Sequence, residues 1–382
     1  MKKRVIILGS TGSVGRSTLE VLSECQADWQ IVGLAAGSRG EALTRQANVH
    51  RPEALAIADG DAADSVRSEL AYEPTLYEGK DALVRLVEET PFDCLVSAVV
   101  GAGGLSATLK AVELGRRVAL ANKEALVIAG SLLMPLARKS GATLIPVDSE
   151  HSAVFQAMHA GRPCDVRRIH LTTSGGPFRT WTTEAMEAAT PDDALKHPTW
   201  RMGPKITIDS ATMMNKALEI VEARWLFDLT PDRIGVVVHP ESIIHALVEF
   251  QDGSMIAQLS APDMRTPIQY ALTYPQRRSG PGRVLDLTAV GRLNFEPPEE
   301  DRFPALRLGR EVAARGGTAG AVLNAANEAA VSLFRGGQIG YHDIARLTEQ
   351  ALERHAFKAT PDLDDLLAAD RRARERVSQC TV

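Results

Sequence analysis

The chain has 382 residues, 45% hydrophobic and 24% charged, a length that predicts two to three domains at roughly 150 residues each and a composition ordinary for a globular protein. Its 43 Lys and Arg against 48 Asp and Glu leave a formal net charge of -5, which gives no broad electrostatic reason to bind nucleic acid or an anionic membrane. No stretch approaches the roughly 18 uninterrupted apolar residues of a membrane span, and Cys25, Cys94, Cys164 and Cys380 lie far apart with no C-x-x-C pair, so a reducing cytoplasm is expected rather than a disulfide framework or a zinc site.

The N-terminus is basic and then apolar, but the run at 5–8 is too short for a signal-peptide core and passes straight into a Gly-rich turn. It is expected to be the first strand. Apolar runs follow at 31–36, 54–58, 94–100, 118–121 and 143–147, most of them separated by helical patterns such as 13–24 and 82–89. Strand and helix alternating at this spacing predict an α/β fold, a Rossmann-like doubly wound parallel sheet. Beyond Asp148 the alternation stops. Strand-like runs at 168–173, 235–239, 245–250 and 255–259, the last two joined through Asp252-Gly253, mix with a helical stretch at 210–227. This reads as a central α+β domain with a β-hairpin. A Pro/Gly-rich stretch follows, and from 305 onward the pattern is helical throughout. The expected organisation is therefore a first domain at 1–148, a second at 149–280, a linker at 281–304 and a C-terminal α-helical domain at 305–382.

GSTGSVG at 9–15 directly follows the first strand and opens a helix. Its glycines permit a tight turn and close approach of a pyrophosphate, whose charge then sits at the helix N-terminus, with Thr11 and Ser13 adding hydroxyls. NAD-binding folds place an acid at the end of the second strand. Here that strand ends in Gly37-Ser38-Arg39, where Ser38 and Arg39 can donate to a 2'-phosphate, so NADP(H) is favoured over NAD(H).

Asp148-Ser149-Glu150 follows the run at 143–147. In extended chain residues i and i+2 point the same way, so Asp148 and Glu150 can face one cation. A third acid, Glu219, falls on one helix face with Asn215 and Lys216. Three oxygen ligands without His or Cys suit Mg2+ or Mn2+, although acids at such positions are also common as solvated surface groups. Thr172-Thr173-Ser174-Gly175-Gly176 has the makings of an oxyanion or phosphate turn. Asn122-Lys123-Glu124 stands at a strand's carboxyl end. The loop at 197–203 holds Trp200 and Met202, which suits a structural packing role or a lid. His151, His170, His239 and His245 are expected to be structural, and Met213-Met214 to be core.

Together these strings resemble the 1-deoxy-D-xylulose 5-phosphate reductoisomerase family. The resemblance rests on GSTGSVG (9–15), LANKEALV (120–127), PVDSEHSAVFQ (146–156), SGGPFR (174–179), HPTWRMG (197–203), KITIDSATMMNKALEIVEARWLF (205–227), HPESIIHALVEFQDGS (239–254), APDMRTPI (261–268) and LNAANE (323–328). It implies an NADPH domain, a catalytic domain with a flexible lid, a linker and a helical domain, assembled as a homodimer. It also implies roles. Thr11, Gly12, Ser13 and Val14 would hold NADPH, with Gly37, Ser38 and Arg39 near its 2'-phosphate, and Asn122, Glu124 and Gly203 completing that site. Asp148, Glu150 and Glu219 would ligate Mg2+ or Mn2+. Ser174, Ser210, Asn215 and Lys216 would bind the phosphate of the phosphosugar substrate. Lys123, Ser149 and His197 would contact its sugar portion, and Trp200 and Met202 would belong to the lid. The chain departs from the family's usual pattern at Ser38-Arg39, at Pro204 and at Ala217.

The activity so implied is the reductive isomerisation of 1-deoxy-D-xylulose 5-phosphate to 2-C-methyl-D-erythritol 4-phosphate in the non-mevalonate isoprenoid pathway. The metal would act as a Lewis acid on the substrate oxygens. The family's chemistry favours cleavage and rejoining of the carbon chain to an aldehyde, which NADPH reduces. Lys123 would stabilise an oxyanion or pass a proton. A regulatory NADP-binding protein would lack some of these donors, and an ordinary sugar dehydrogenase would not need the three acids and the lid.

Overall fold

The computed structural model describes residues 2–25 and 27–380. The apolar runs of the first part form seven parallel strands: β1 (Lys3–Leu8), β2 (Trp29–Ala36), β3 (Ala54–Ile57), β4 (Thr75–Glu78), β5 (Cys94–Ser97), β6 (Arg117–Leu120) and β7 (Thr143–Pro146). Their order is β4-β3-β2-β1-β5-β6-β7. Val5 through Leu8 of β1 and Cys94 through Val96 of β5 are fully buried, as expected where helices cover both faces of a parallel sheet. The helix Ser13–Glu24 buries Thr18, Leu19, Val21 and Leu22 and turns its charged residues outward. Strand order reverses between β1 and β5, and the crevice beyond the strand carboxyl ends at such a reversal is where open α/β sheets bind ligands. The edge strand β4 lacks an apolar run; of its four residues only Tyr77 is buried.

The chain divides into two compact units. The first takes residues up to Ala125, then Leu133–Ser152 and Asp263–Arg283; the second takes Leu126–Leu132, Ala153–Pro262 and everything from Val284 onward. These units are not consecutive in sequence. Within the first, the helix Arg265–Thr273 returns to the helix Ser13–Glu24, where Arg265 lies 3.7 Å from Glu20, and nearby Arg278 pairs with Asp28 at 2.6 Å.

The second unit holds a four-stranded sheet of β8 (Val166–Thr173), β9 (Ile234–Val238), β10 (Ile244–Phe250) and β11 (Met255–Leu259), ordered β11-β10-β8-β9. β10 runs antiparallel to both β8 and β11, whereas β8 and β9 are parallel. The hairpin expected at Asp252-Gly253 is present, with Gly253 at φ +82° and the Phe250 amide donating to the Ser254 carbonyl at 2.9 Å. The single helical stretch expected at 210–227 is instead two helices, Pro204–Ala211 and Met214–Leu226, broken at Met213, which is left-handed with φ 61°. The Met213 and Met214 side chains are buried, as expected of core residues.

Four helices, Ala305–Arg315, Ala319–Arg335, Tyr341–Glu353 and Leu363–Gln379, complete this unit. The second of them is rich in Ala and buried over most of its circumference. Ala217 is accommodated by Gly309 opposite: a Cβ on Gly309 would stand 2.6 Å from the Ala217 Cα. The Pro-rich residues 284–304 are stitched to this unit. Glu296 bridges Val238 and pairs with Arg179 at 2.6 Å. His239 Nδ1 donates to the Asn294 carbonyl at 2.8 Å, and the Arg302 guanidinium donates to the carbonyls of Phe178, Arg179 and Trp181.

Candidate active site

The turn after β1 is built from backbone. Gly9 is left-handed at φ +78°, and a Cβ there would stand 2.5 Å from the Ala98 carbonyl oxygen. A Cβ on Gly15 would stand 2.3 Å from the Gly9 oxygen. Only glycine lets the start of the helix lie this close to the strand that precedes it. The helix Ser13–Glu24 opens at Gly12 with no side-chain cap, so no side chain competes for its first amides. Thr11 is buried and Val14 half-buried, while Ser13 is exposed. Beyond β2, Gly37, Ser38 and Arg39 are exposed, with open space beside Gly37. The Arg39 guanidinium reaches the Thr11 carbonyl at 3.3 Å and so stands beside the turn. Arg16 reaches the same carbonyl at 2.7 Å. It adds a second cation that the sequence reading missed, although its place one turn into the helix was a usable signal. A glycine turn at a helix N-terminus with two guanidiniums fits the pyrophosphate and 2'-phosphate of NADPH.

Asn122 begins the helix Lys123–Ser140. Its Oδ1 accepts from the Ala125 amide at 2.8 Å, and its Nδ2 donates to the Val99 and Gly101 carbonyls of the loop after β5. Its amide is thus spent on fixing that loop. Glu124 beside it is buried.

Asp148 stands at the bend after β7, and Ser149 and Glu150 open the helix Ser149–Ala157. The extended i, i+2 geometry expected for Asp148 and Glu150 is therefore not what brings them together. Instead the Glu150 amide donates to Asp148 Oδ1 at 3.2 Å in a helix-opening turn. Lys123 Nζ lies 2.6 Å from Asp148 Oδ2, and His151 Nδ1 lies 3.1 Å from Oδ1. Burial would raise the Asp148 carboxyl, but the Lys123 ammonium and the His151 ring outweigh it and hold the group well below the usual carboxylate range. Ser149 Oγ donates to the Glu150 carboxylate. The first unit therefore carries Lys123, Asp148, Ser149 and Glu150 in one cluster, with His151, expected to be structural, inside it. The Asp148 carboxylate held in this way, with the Glu150 carboxyl group in the same turn, fits a hard divalent cation.

In the second unit, β8 ends in Ser174-Gly175-Gly176, with both glycines left-handed at φ +83° and +67°. A Cβ on Gly176 would stand 2.6 Å from the Ser210 carbonyl oxygen, so the turn is packed against the end of the helix Pro204–Ala211. The turn that follows Ser174 is thereby held against the Ser210 backbone. The Trp200 and Thr199 amides donate to His197 Nδ1 at 2.9 and 3.2 Å, which makes that nitrogen an acceptor. The neutral ring then carries its proton on Nε2, 3.0 Å from Ser174 Oγ. On the helix Met214–Leu226, Glu219 is fully buried and accepts from Asn215 Nδ2 at 2.6 Å and from the Lys216 ammonium. The shared face expected of Asn215, Lys216 and Glu219 is present. Trp200 and Met202 are half-buried, and the indole leans on His245 with ring centres 6.2 Å apart. Gly203 is exposed and precedes the helix Pro204–Ala211. Hydroxyls, an amide, an ammonium and a glycine turn are the kinds of group that grip a phosphate dianion.

Known proteins resemble this chain over nearly its whole length. The family model for 1-deoxy-D-xylulose 5-phosphate reductoisomerase matches residues 5–130, and two models of the C-terminal domains of that enzyme match residues 144–227 and 259–376. The 1-deoxy-D-xylulose 5-phosphate reductoisomerase of Chlorobium phaeovibrioides is 49% identical over 97% of both chains, and that of Symbiobacterium thermophilum 49% over 98% of both. The structure of the Zymomonas mobilis enzyme in complex with NADPH superposes with a TM-score of 0.93 at 42% identity, covering 100% of this chain and 99% of that one. A DOX-P reductoisomerase in complex with NADPH, fosmidomycin and magnesium superposes with a TM-score of 0.93 at 37% identity, covering 99% and 98%. Together with the clusters described above, these likenesses show that the chain belongs to the 1-deoxy-D-xylulose 5-phosphate reductoisomerase family.

Proposed function

We propose that each cluster serves one part of the family's reaction: the NADPH- and divalent-metal-dependent reductive isomerisation of 1-deoxy-D-xylulose 5-phosphate to 2-C-methyl-D-erythritol 4-phosphate, a step of the non-mevalonate isoprenoid pathway. NADPH and magnesium, bound by the similar structures, are the cofactors, and manganese is an equivalent hard ion for the same oxygen donors. When bound, the ion supplies Lewis acidity and the nicotinamide supplies hydride. Residues 1–148 hold the nucleotide through Thr11, Gly12, Ser13 and Val14, with Gly37, Ser38 and Arg39 at its 2'-phosphate and Asn122 and Glu124 beside it, and Gly203 from the following segment completes that site. Residues 149–280 carry the lid and much of the substrate site, 281–304 lead on, and 305–382 form the helical part.

Asp148, Glu150 and Glu219 ligate the ion. Ser174, Ser210, Asn215 and Lys216 bind the substrate phosphate, and this remote grip orients the reacting carbons. Ser149 and His197 hold the sugar hydroxyls. The Lys123 ammonium, its Nζ 2.6 Å from Asp148 Oδ2, is placed to neutralise or protonate an oxyanion as the carbon chain rearranges. Trp200 and Met202 close over the substrate and exclude water. The observation that carries this reading is the Asp148 carboxyl group, paired with Lys123 at 2.6 Å and sharing one turn with Glu150. We further propose that the enzyme works in the cytoplasm as a homodimer. Its four cysteines are unpaired, and among the described residues no helix is long and apolar enough to cross a membrane.

The test is loss of NADPH absorbance on addition of 1-deoxy-D-xylulose 5-phosphate. Turnover is expected with Mg2+ or Mn2+ and is expected to fall to background with a chelator. Turnover indifferent to the chelator overturns the metal assignment.

A further inference from the structure

The helix Pro204–Ala211 carries Ser210 at its end; two polar contacts tie it to other helices of its unit, and a third closes within the helix itself. Asp209, one residue before Ser210, is 1% exposed. Its Oδ1 accepts from Asn327 Nδ2 at 2.8 Å and its Oδ2 pairs with Lys205 Nζ at 2.8 Å. One residue after Ser210, the Ala211 carbonyl accepts from the Tyr341 hydroxyl at 2.7 Å. Asn327 and Tyr341 come from the C-terminal helices Ala319–Arg335 and Tyr341–Glu353 and are themselves buried. A buried carboxylate is retained only where its partners are well placed, and a buried tyrosine hydroxyl needs an acceptor. Here both conditions are met by residues that flank Ser210 on either side.

We propose that Asn327 and Tyr341 are positioning residues for the substrate phosphate, clamping Asp209 and Ala211 so that the Ser210 hydroxyl between them meets the phosphate beside Ser174. The inference rests on the assignment of Ser210 to the phosphate. It gives the C-terminal helices a part in substrate affinity, at a distance from any atom that reacts. Neither residue touches substrate or cofactor, and each acts through the backbone that carries Ser210. A hydroxyl held by one short helix moves with that helix, and small displacements of a binding group are costly.

The test compares Asn327→Leu, Tyr341→Phe and Ser210→Ala in the full-length enzyme. For each, the KM for the phosphosugar, the KM for NADPH, kcat, the melting temperature and the inhibition constant of inorganic phosphate competing with substrate are measured. Asn327→Leu is expected to raise the substrate KM and the phosphate inhibition constant by the same factor, about tenfold, with kcat and the NADPH KM within about twofold. Tyr341→Phe removes one oxygen and should act in the same direction less strongly. If the phosphate inhibition constant stays put in both variants, the clamp is wrong. A lowered melting temperature with kcat and the NADPH KM disturbed as much as the substrate KM also overturns it, since that is general loosening. Ser210→Ala separates the two levels of argument: no change in phosphate inhibition there refutes the assignment of Ser210, whatever the other variants do.

Discussion

Residues 9–15 make the proposed nucleotide cradle from one uninterrupted turn, and the donors it offers are main-chain amides at the start of the helix Ser13–Glu24. The proposed phosphate grip is assembled otherwise. It takes Ser174 from the end of β8, Ser210 from the helix Pro204–Ala211, and Asn215 and Lys216 from the helix Met214–Leu226. Both are proposed to receive phosphate oxygens. A backbone cradle depends on what is missing from the side chains, as the 2.5 Å and 2.3 Å approaches at Gly9 and Gly15 illustrate. A side-chain grip depends on every donor being carried to its place by tertiary packing. Single side-chain deletions should therefore be costly in the grip and mild in the cradle.

Lys216→Met presses hardest on this contrast. Lys216 is 2% exposed and pairs with Glu219, and losing a charge-assisted bond to phosphate should raise the substrate KM on the order of 10- to 100-fold. Steady-state kinetics with a melting curve as control checks it. An unchanged KM would mean that the grip lies elsewhere. A smaller effect is expected for Arg39→Ala, since the cradle remains and one guanidinium is lost: about a tenfold rise in the KM for NADPH and little for NADH. Equal rises for both nucleotides would show that Arg39 does not read the 2'-phosphate. The smallest effect is expected for Ser13→Ala. Its hydroxyl is exposed and the neighbouring amides do the binding, so both nucleotide constants should move less than about threefold. A large change there would erase the distinction between the two designs.

The same contrast decides what could be read from the residues alone. The parallel sheet, the cradle and the hairpin at Asp252-Gly253 follow local rules, and each was legible. β4 was not, because an edge strand with one buried side chain leaves no apolar run. Nor was the return of the helix Arg265–Thr273 to the first unit, which depends on partners such as Glu20 and Asp28 that lie far away in sequence. The acids Asp148 and Glu150 were identified, but by way of an extended geometry, whereas they share a helix-opening turn. Asp209, Asn327 and Arg302 were passed over altogether. A buried polar residue looks like a surface one until its partners are known, and theirs lie 118 residues apart for Asp209 and Asn327, and 124 for Arg302 and the Phe178 carbonyl. The resemblance to the family proposes roles that spacing does not, including those of Val14 and Gly203.

The left-handed Met213 has a bearing on direction. On one straight helix, residues five apart point away from each other by roughly 140°, so Ser210 and Asn215 would address different sides of the molecule. The fault at φ 61° separates their two helices and releases each side chain from the other's bearing. A chain that kept every donor but ran 204–226 as one rod would hold the same inventory of groups aimed apart. Part of the information for gripping a phosphate is thus carried by an interruption, at a residue that has no hydrogen bond of its own to offer the ligand.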